Sequence, residues 1–215
     1  VLGVQSSTAC KICGSSSKQD GKSASLTAPS GTAQQALLKA AMADSSVAAP
    51  SISTTEAHGT GTALGDPIET SAIDAVLLSA RGLPLSLGSL KANAGHCEPG
   101  AGMAGLVKLS LELLKCASGC NVQMRVLNPQ VNSAIRRNIA RCVMETQLSE
   151  LRPDEATRNG GVNSFGYSGI IAHSVLQVSS IDLRMHSSLT YRRRAFAWTP
   201  LTSIRASAVE TRVQK

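Results

Sequence analysis

Glu56-Ala57-His58-Gly59-Thr60-Gly61-Thr62 sets one imidazole in a loop of small and hydroxylated residues. Lys91-Ala92-Asn93-Ala94-Gly95-His96-Cys97-Glu98-Pro99-Gly100-Ala101-Gly102 does the same for His96. Asn163-Ser164-Phe165-Gly166-Tyr167-Ser168-Gly169 forms a third loop of this kind. Two imidazoles on separate loops can converge on one carbonyl oxygen and stabilise the negative charge that develops there. Glycine lets backbone and ligand approach closely. A lone histidine is most often structural; three such loops in one chain are harder to assign to accident.

Working outward, each loop follows a strand. Ile52 to Glu56 reads as a strand into the His58 loop, Leu85 to Leu90 as one into the His96 loop, and Gly161 to Gly169 as a strand-to-loop turn closed by a strand from Ile170 to Val178. Cys10 to Cys13 reads as a strand followed by a Ser/Gln/Asp/Gly turn. Thr32 to Ala43 is helical by propensity. Asp66-Pro67-Ile68-Glu69 is a helix start, with Asp66 as N-cap, Pro67 at the first helical position and Glu69 completing a capping box. Ile73, Val76, Leu77 and Ala80 mark one face of that helix, and Gly82 is its stop. Ala101 to Lys115 is a helix apolar around most of its circumference, so a buried one, and its N-terminus favours negative charge beside His96. Gln123 to Leu127 and Arg141 to Thr146 read as strands. Strands interleaved with helices make an α/β layered architecture, a mixed sheet with covering helices.

The 215 residues suffice for one sizeable core. Aromatics are only 2%, so that core is built from Ala, Val, Leu and Ile. No apolar run is long enough for a membrane span, and the start does not resemble a signal peptide. Much of the net charge of +7 sits after Ser180, around Arg192-Arg193-Arg194. That run is short and no nucleic-acid motif accompanies it, so an acidic protein surface is the expected partner. Cys10-Lys11-Ile12-Cys13 is formally a C-x-x-C, but on a strand its two thiols point to opposite faces. No metal site is expected, and the six cysteines read as buried free thiols of a reducing compartment.

These stretches resemble the β-ketoacyl synthase family, closest to the ketosynthase domain of modular type I polyketide synthases. Gln19-Asp20-Gly21-Lys22-Ser23, Leu26-Thr27-Ala28-Pro29, Gln34-Gln35-Ala36-Leu37-Leu38, Asn163 to His173 and Tyr191 to Trp198 extend the likeness over nearly the whole chain. The resemblance implies a thiolase-like fold, of which this is the C-terminal half: residues 1–178, then a basic linker over residues 179–215. It implies decarboxylative Claisen condensation, with a malonyl unit on a carrier protein losing CO2 and the enolate attacking an acyl thioester. His58 and His96 then hydrogen-bond the enolate oxygen and Lys91 holds the charge network. Thr60 and Thr62 bind the phosphopantetheine arm, or merely brace their turn. Phe165, Gly166 and Tyr167 belong to a gating loop, with the Tyr167 N–H in the acyl oxyanion hole; Phe165 has core packing as its plainer role, and His173 reads as structural.

The resemblance also implies an acyl carrier protein, a separate N-terminal ketosynthase half and a homodimer as partners, phosphopantetheine-linked substrates with no cofactor bound directly, and a cytoplasmic setting. Where the family carries its nucleophile, in an Asp-Thr-Ala-Cys-Ser-Ser type motif far upstream of the first histidine, this chain has no counterpart. Thr8-Ala9-Cys10 is followed by Lys11 rather than Ser, and Cys10 stands only 48 positions before His58. The chain starts at Val1 and reads as a fragment, inactive alone. A non-catalytic half-domain that binds carrier protein or a partner half is the alternative; a degradative thiolase would need a C-terminal Cys-x-Gly that Ser168-Gly169 does not offer. Tyr167 and Ser168 stand where many ketosynthases have Phe and Gly, and Ile170 replaces a usual Thr. These departures bear on loop mobility and substrate choice.

Overall fold

Among the described residues six strands form the main sheet, in the order β1-β8-β7-β2-β3-β5. They are β1 (Lys11–Gln19), β2 (Ile52–Glu56), β3 (Leu85–Gly88), β5 (Cys142–Val143), β7 (Thr157–Phe165) and β8 (Ile170–Ser179). A second, two-stranded sheet joins β4 (Ala117–Ser118) and β6 (Ser149–Glu150). The helices are α1 (Gly31–Ser45), α2 (Gly65–Ile73), α3 (Lys91–Ala94), α4 (Ala101–Lys115) and α5 (Pro129–Ala134). This computed structural model describes residues 10–21, 28–79, 81–151 and 157–179. The Lys22-Ser23 and Leu26-Thr27 stretches and the expected linker after residue 179 lie outside them.

The sheet is covered on both faces, which sets its sequence. β2, at the centre, is buried along its whole length, as a strand covered on both sides must be. On one face Leu38, Ala41 and Met42 of α1 and Ala72 and Ile73 of α2 meet Ile52, Leu85, Leu87 and Val175. On the other, Leu109 and Leu113 of α4 meet Val162, Leu176 and Val178. Neighbours Val175 and Leu176 on β8 therefore serve opposite layers. Cys10 packs against the α4 cluster and Cys13 against the α1 cluster, so the C-x-x-C pair is split across the sheet. The core is aliphatic, in line with the shortage of aromatics.

α1 begins at Ser30, whose hydroxyl accepts the Ala33 N–H at 3.3 Å. It lies so close to β1 that a Cβ on Gly14 would stand 2.4 Å from the Ser45 nitrogen and 2.6 Å from its Cα. Those are backbone atoms, so the helix itself would have to move. Gly14→Ala is expected to destabilise the chain by about 1–3 kcal/mol, measured as a shift in the urea midpoint with unchanged slope.

The structure corrects several sequence-based expectations. The Ser15-Ser16-Ser17 run is strand, not turn: it pairs with β8 from Ser174 to Ala172. On an edge strand the ladder supplies the hydrogen bonds while outward side chains stay in water, so weak intrinsic propensity is overridden. Asp66 is not an N-cap; it lies inside the first turn of α2, and both its oxygens accept the Gly61 N–H at 3.1 Å. Leu64 holds the N-cap position without a side-chain cap, and Thr62, two residues earlier, accepts the Gly65 N–H at 3.1 Å. No strand forms over 123–127; Asn128, accepting the Gln130 N–H at 2.9 Å, instead starts α5 with Pro129 in its first turn. Only Cys142–Val143 of the second expected strand is strand. α4 has the expected bounds but not the expected burial: Met103, Val107 and Leu111 are exposed along one stripe. Among the described residues no helix is long and apolar enough to cross a membrane.

Candidate active site

β7, β2 and β3 are neighbours in the sheet and run parallel. Their carboxyl ends, Phe165, Glu56 and Gly88, therefore open on the same edge, where open α/β sheets bind ligands. This topology brings the three loops together. The His58 and His96 rings lie 5.8 Å apart, edge to face at 89°, and the Phe165 ring is 5.2 Å from His58. A cleft of about 1040 Å³ is lined by both histidines, Thr60, Thr62, Phe165, Gly166 and Tyr167.

The hydrogen bonds fix which nitrogens carry protons. His58 Nδ1 accepts the Phe165 N–H at 3.3 Å, and His96 Nδ1 accepts the Glu98 N–H at 3.1 Å. A ring nitrogen that accepts has no proton, so in each neutral ring the proton sits on Nε2. Burial, then the charges of Lys91 and His96, push the His58 pKa down to about 4. His58 is thus expected to stay a neutral donor until about pH 4, which an imidazole NMR titration would read directly. The buried His173 is also held down to about 4, by burial. Both bind protons more weakly folded than unfolded, so their stabilisation is complete above pH 6.5 and is lost as pH falls toward 4. The His173 part of that loss is about 3 kcal/mol, measurable by denaturant titration across that range.

Two buried carboxylates pin the histidine loops. Glu69 Oε1 accepts the His58 N–H at 2.6 Å and Oε2 the Gly59 N–H at 2.9 Å. Glu69 was expected to close a capping box at its own helix end; it turns to the neighbouring loop instead. Glu56 Oε1 accepts the Leu90 N–H at 2.6 Å, at the entry to the His96 loop. Its Oε2 receives Lys108 Nζ at 2.6 Å, and the same ammonium meets Glu112 Oε1 at 2.9 Å. Burial leads in pushing the Glu56 carboxyl up. Burial would pull the Lys108 ammonium down, but Glu56 and Glu112 outweigh it and hold it up. Sequence reasoning missed this cluster. The available signal was Lys108 with Glu112, an i,i+4 charge pair inside an otherwise apolar helix.

Lys91 sits half-buried at the start of α3, and among the described residues its ammonium has no ion pair. Burial lowers its pKa against the pull of Glu56, Glu69 and Asp66. It lines a smaller pocket of about 470 Å³ that shares Thr60, Glu69 and His96 with the cleft. The Thr60 and Thr62 hydroxyls are 3.4 Å apart and face the cleft. The Gly166 N–H is taken by the Ile170 carbonyl at 2.7 Å, whereas the Tyr167 N–H is engaged by no described residue. The Tyr167 side chain is 90% exposed. Gln19 Nε2 donates to the Ser168 carbonyl at 3.0 Å and Asp20 N–H to that of Gly169 at 2.8 Å, so the loop is tied to β1. Cys10 precedes the end of β1 that pairs with Gln177, opposite the end at Ile170 where the cleft lies. Burial also raises its pKa. The expectation of buried thiols holds for Cys142, pushed up to about 11 by burial, but Cys97 is exposed. Among the described residues no three His, Cys, Asp or Glu cluster as a metal site would need.

Residues 9–118 match the family described as the β-ketoacyl synthase, C-terminal domain. The chain belongs to this family. As a ketosynthase C-terminal domain it is 32% identical over 213 residues to the highly reducing polyketide synthase srdA of Neurospora crassa, covering 94% of this chain and 9% of that protein. It is 39% identical over 170 residues to the mycoketide-CoA synthase of Mycobacterium tuberculosis, covering 77% of this chain and 4% of that one. Among solved structures it is similar to the ketosynthase from module 6 of the bacillaene synthase of Bacillus subtilis, with a TM-score of 0.72 and 32% identity. That match covers 79% of this chain and 30% of the other. An oxazolomycin ketosynthase domain of Streptomyces albus gives the same TM-score at 26% identity, over 78% of this chain and 30% of that. The ketosynthase fold is thiolase-like, and this chain is its C-terminal half. It spans under a tenth of the curated relatives and under a third of the solved domains.

Proposed function

We propose that this chain supplies the two-histidine half of a decarboxylative condensing site in polyketide assembly. The observation that supports this most is the pair of Nε2–H donors, on His58 and His96, lining one cleft. A malonyl thioester seated there places its carbonyl oxygen between the two donors. The carboxylate leaves as CO2, the electron pair of the broken C–C bond moves onto that oxygen, and the donors hold the enolate. The enolate carbon then attacks an acyl thioester and the thiolate leaves. The acyl-bearing cysteine belongs to a separate N-terminal half, and the exposed Met103, Val107 and Leu111 stripe on α4 supports a partner covering that face.

In this reading Thr60 and Thr62 take the phosphopantetheine arm, the Tyr167 N–H and Phe165-Gly166 loop receive the acyl carbonyl, and Lys91 tunes the charge around the histidines. An acyl carrier protein delivers the substrate, the basic segment after residue 179 serves as linker, and the assembled ketosynthase is a cytoplasmic homodimer. No cofactor takes part directly.

Loss of CO2 asks only for the two donors, whereas chain elongation also needs the cysteine. The purified chain, given a malonyl thioester and a labelled acyl thioester, is therefore expected to release CO2 without making the condensed product. Elongation by the chain alone overturns the missing-nucleophile reading. Carrier-protein binding without CO2 release, even with an N-terminal half added, makes it a non-catalytic binding half.

A further inference from the structure

We propose that His173 is a positioning residue for His58, acting through the Asn163 amide and the Glu69 carboxylate; this rests on the two-histidine site proposed above. Asn163 and His173 are directly opposed on β7 and β8. Asn163 Nδ2 donates to Glu69 Oε1 at 2.7 Å, and Asn163 Oδ1 meets His173 Nδ1 at 2.6 Å. An amide oxygen only accepts, so His173 Nδ1 is the donor. That bond decides which end of the Asn163 amide faces Glu69. Reversed, the amide would set its oxygen against the carboxylate, which is itself 4% exposed and holds the His58 and Gly59 N–H groups.

The relay also spans both contacts that place the His58 ring. Asn163 is two residues before Phe165, whose N–H fixes the tautomer of His58. The Asn163–Glu69 bond therefore locks the end of β7 to the His58 loop, and His173 keeps that bond in the right sense. The fold makes room for this ring. A Cβ on Gly161 would stand 2.7 Å from His173 Cε1 and 2.9 Å from its Nε2. His173 is 1% exposed and does not line the cleft, so it acts through the chain of hydrogen bonds.

The test compares His173→Asn with His173→Gln in the full chain labelled with ¹⁵N-histidine. The Asn amide nitrogen falls where Nδ1 stood, whereas that of Gln reaches the Nε2 position and leaves Asn163 without its donor. Asn at 173 is expected to keep the His58 Nε2–H signature and to hold the decarboxylation rate within about threefold. Gln at 173 is expected to mix the His58 tautomers and to lower kcat by up to about 10²-fold with little change in KM, as small displacements of a catalytic group do. A purely structural histidine predicts the reverse order, since Gln fills more of its volume. Equal loss in the two variants, an unchanged His58 spectrum in both, or failure of His173→Asn to fold overturns the proposal. The spectrum needs no turnover: an inactive wild type counts against the proposed function, while the tautomer comparison still decides the relay.

Discussion

His58→Ala lowers the rate of malonyl-thioester decarboxylation by about 10²–10³-fold, the range typical for loss of one oxyanion donor. His96→Ala is expected in the same range, because the two rings offer equivalent Nε2–H groups, each fixed by a backbone N–H on Nδ1. The loss should fall on kcat, since charge on the carbonyl oxygen grows only as CO2 leaves. Joint replacement should cost less than the product of the single losses, because residues that act as a unit are not additive. His58→Gln distinguishes hydrogen bonding from bulk: its amide N–H reaches near the place of Nε2–H and recovers part of the rate. CO2 release from a malonyl thioester measures all of these. Full activity in His58→Ala would remove this histidine from the chemistry.

What could be read from the sequence divides along physical lines. His58, His96 and their glycine-rich loops were legible because these loops after strands carry residues a solvated turn does not need. α1, α4 and the long β8 were legible because their apolar periodicity or propensity is carried locally. Glu69 was misread because Asp66-Pro67-Ile68-Glu69 satisfies a capping box on paper. The competing demand, the His58 and Gly59 N–H groups, comes from the loop just upstream of the helix. Ser15 to Gln19 was misread for the converse reason: β8, more than 150 residues away, supplies the ladder. Gln123 to Leu127 alternates in a strand-like way, but Asn128-Pro129 starts a helix directly after it. For Ser15 to Gln19 the partner lies far along the chain; for Glu69 and for Gln123 to Leu127 it stands nearby, and the folded loop decides which N–H groups are presented.

Lys108→Met is expected to be the most destabilising single change, by about 3–5 kcal/mol, as when one partner of a buried ion pair is removed. The Lys108 ammonium faces two carboxylates, and the side chains of Glu56 and Glu112 are 1% and 7% exposed. Without the ammonium, Glu56 is left charged in a dry site, or takes up a proton. Its carboxyl, already pushed up by burial, rises further in the variant. A carboxyl with a raised folded pKa stabilises at low pH and loses that contribution as pH rises through its folded value. The deficit of Lys108→Met should therefore be largest at neutral pH and shrink on acidification. Glu56→Gln combined with Lys108→Met should recover more than 1 kcal/mol relative to the sum of the single losses, a coupling of the size found within one charge network. Glu56 also accepts the Leu90 N–H, so the same variant should loosen the His96 loop and lower decarboxylation even where the chain remains folded. Stability and rate would then fall together on Lys108→Met. On Glu56→Gln, whose amide oxygen still accepts from Leu90, most of the rate would remain.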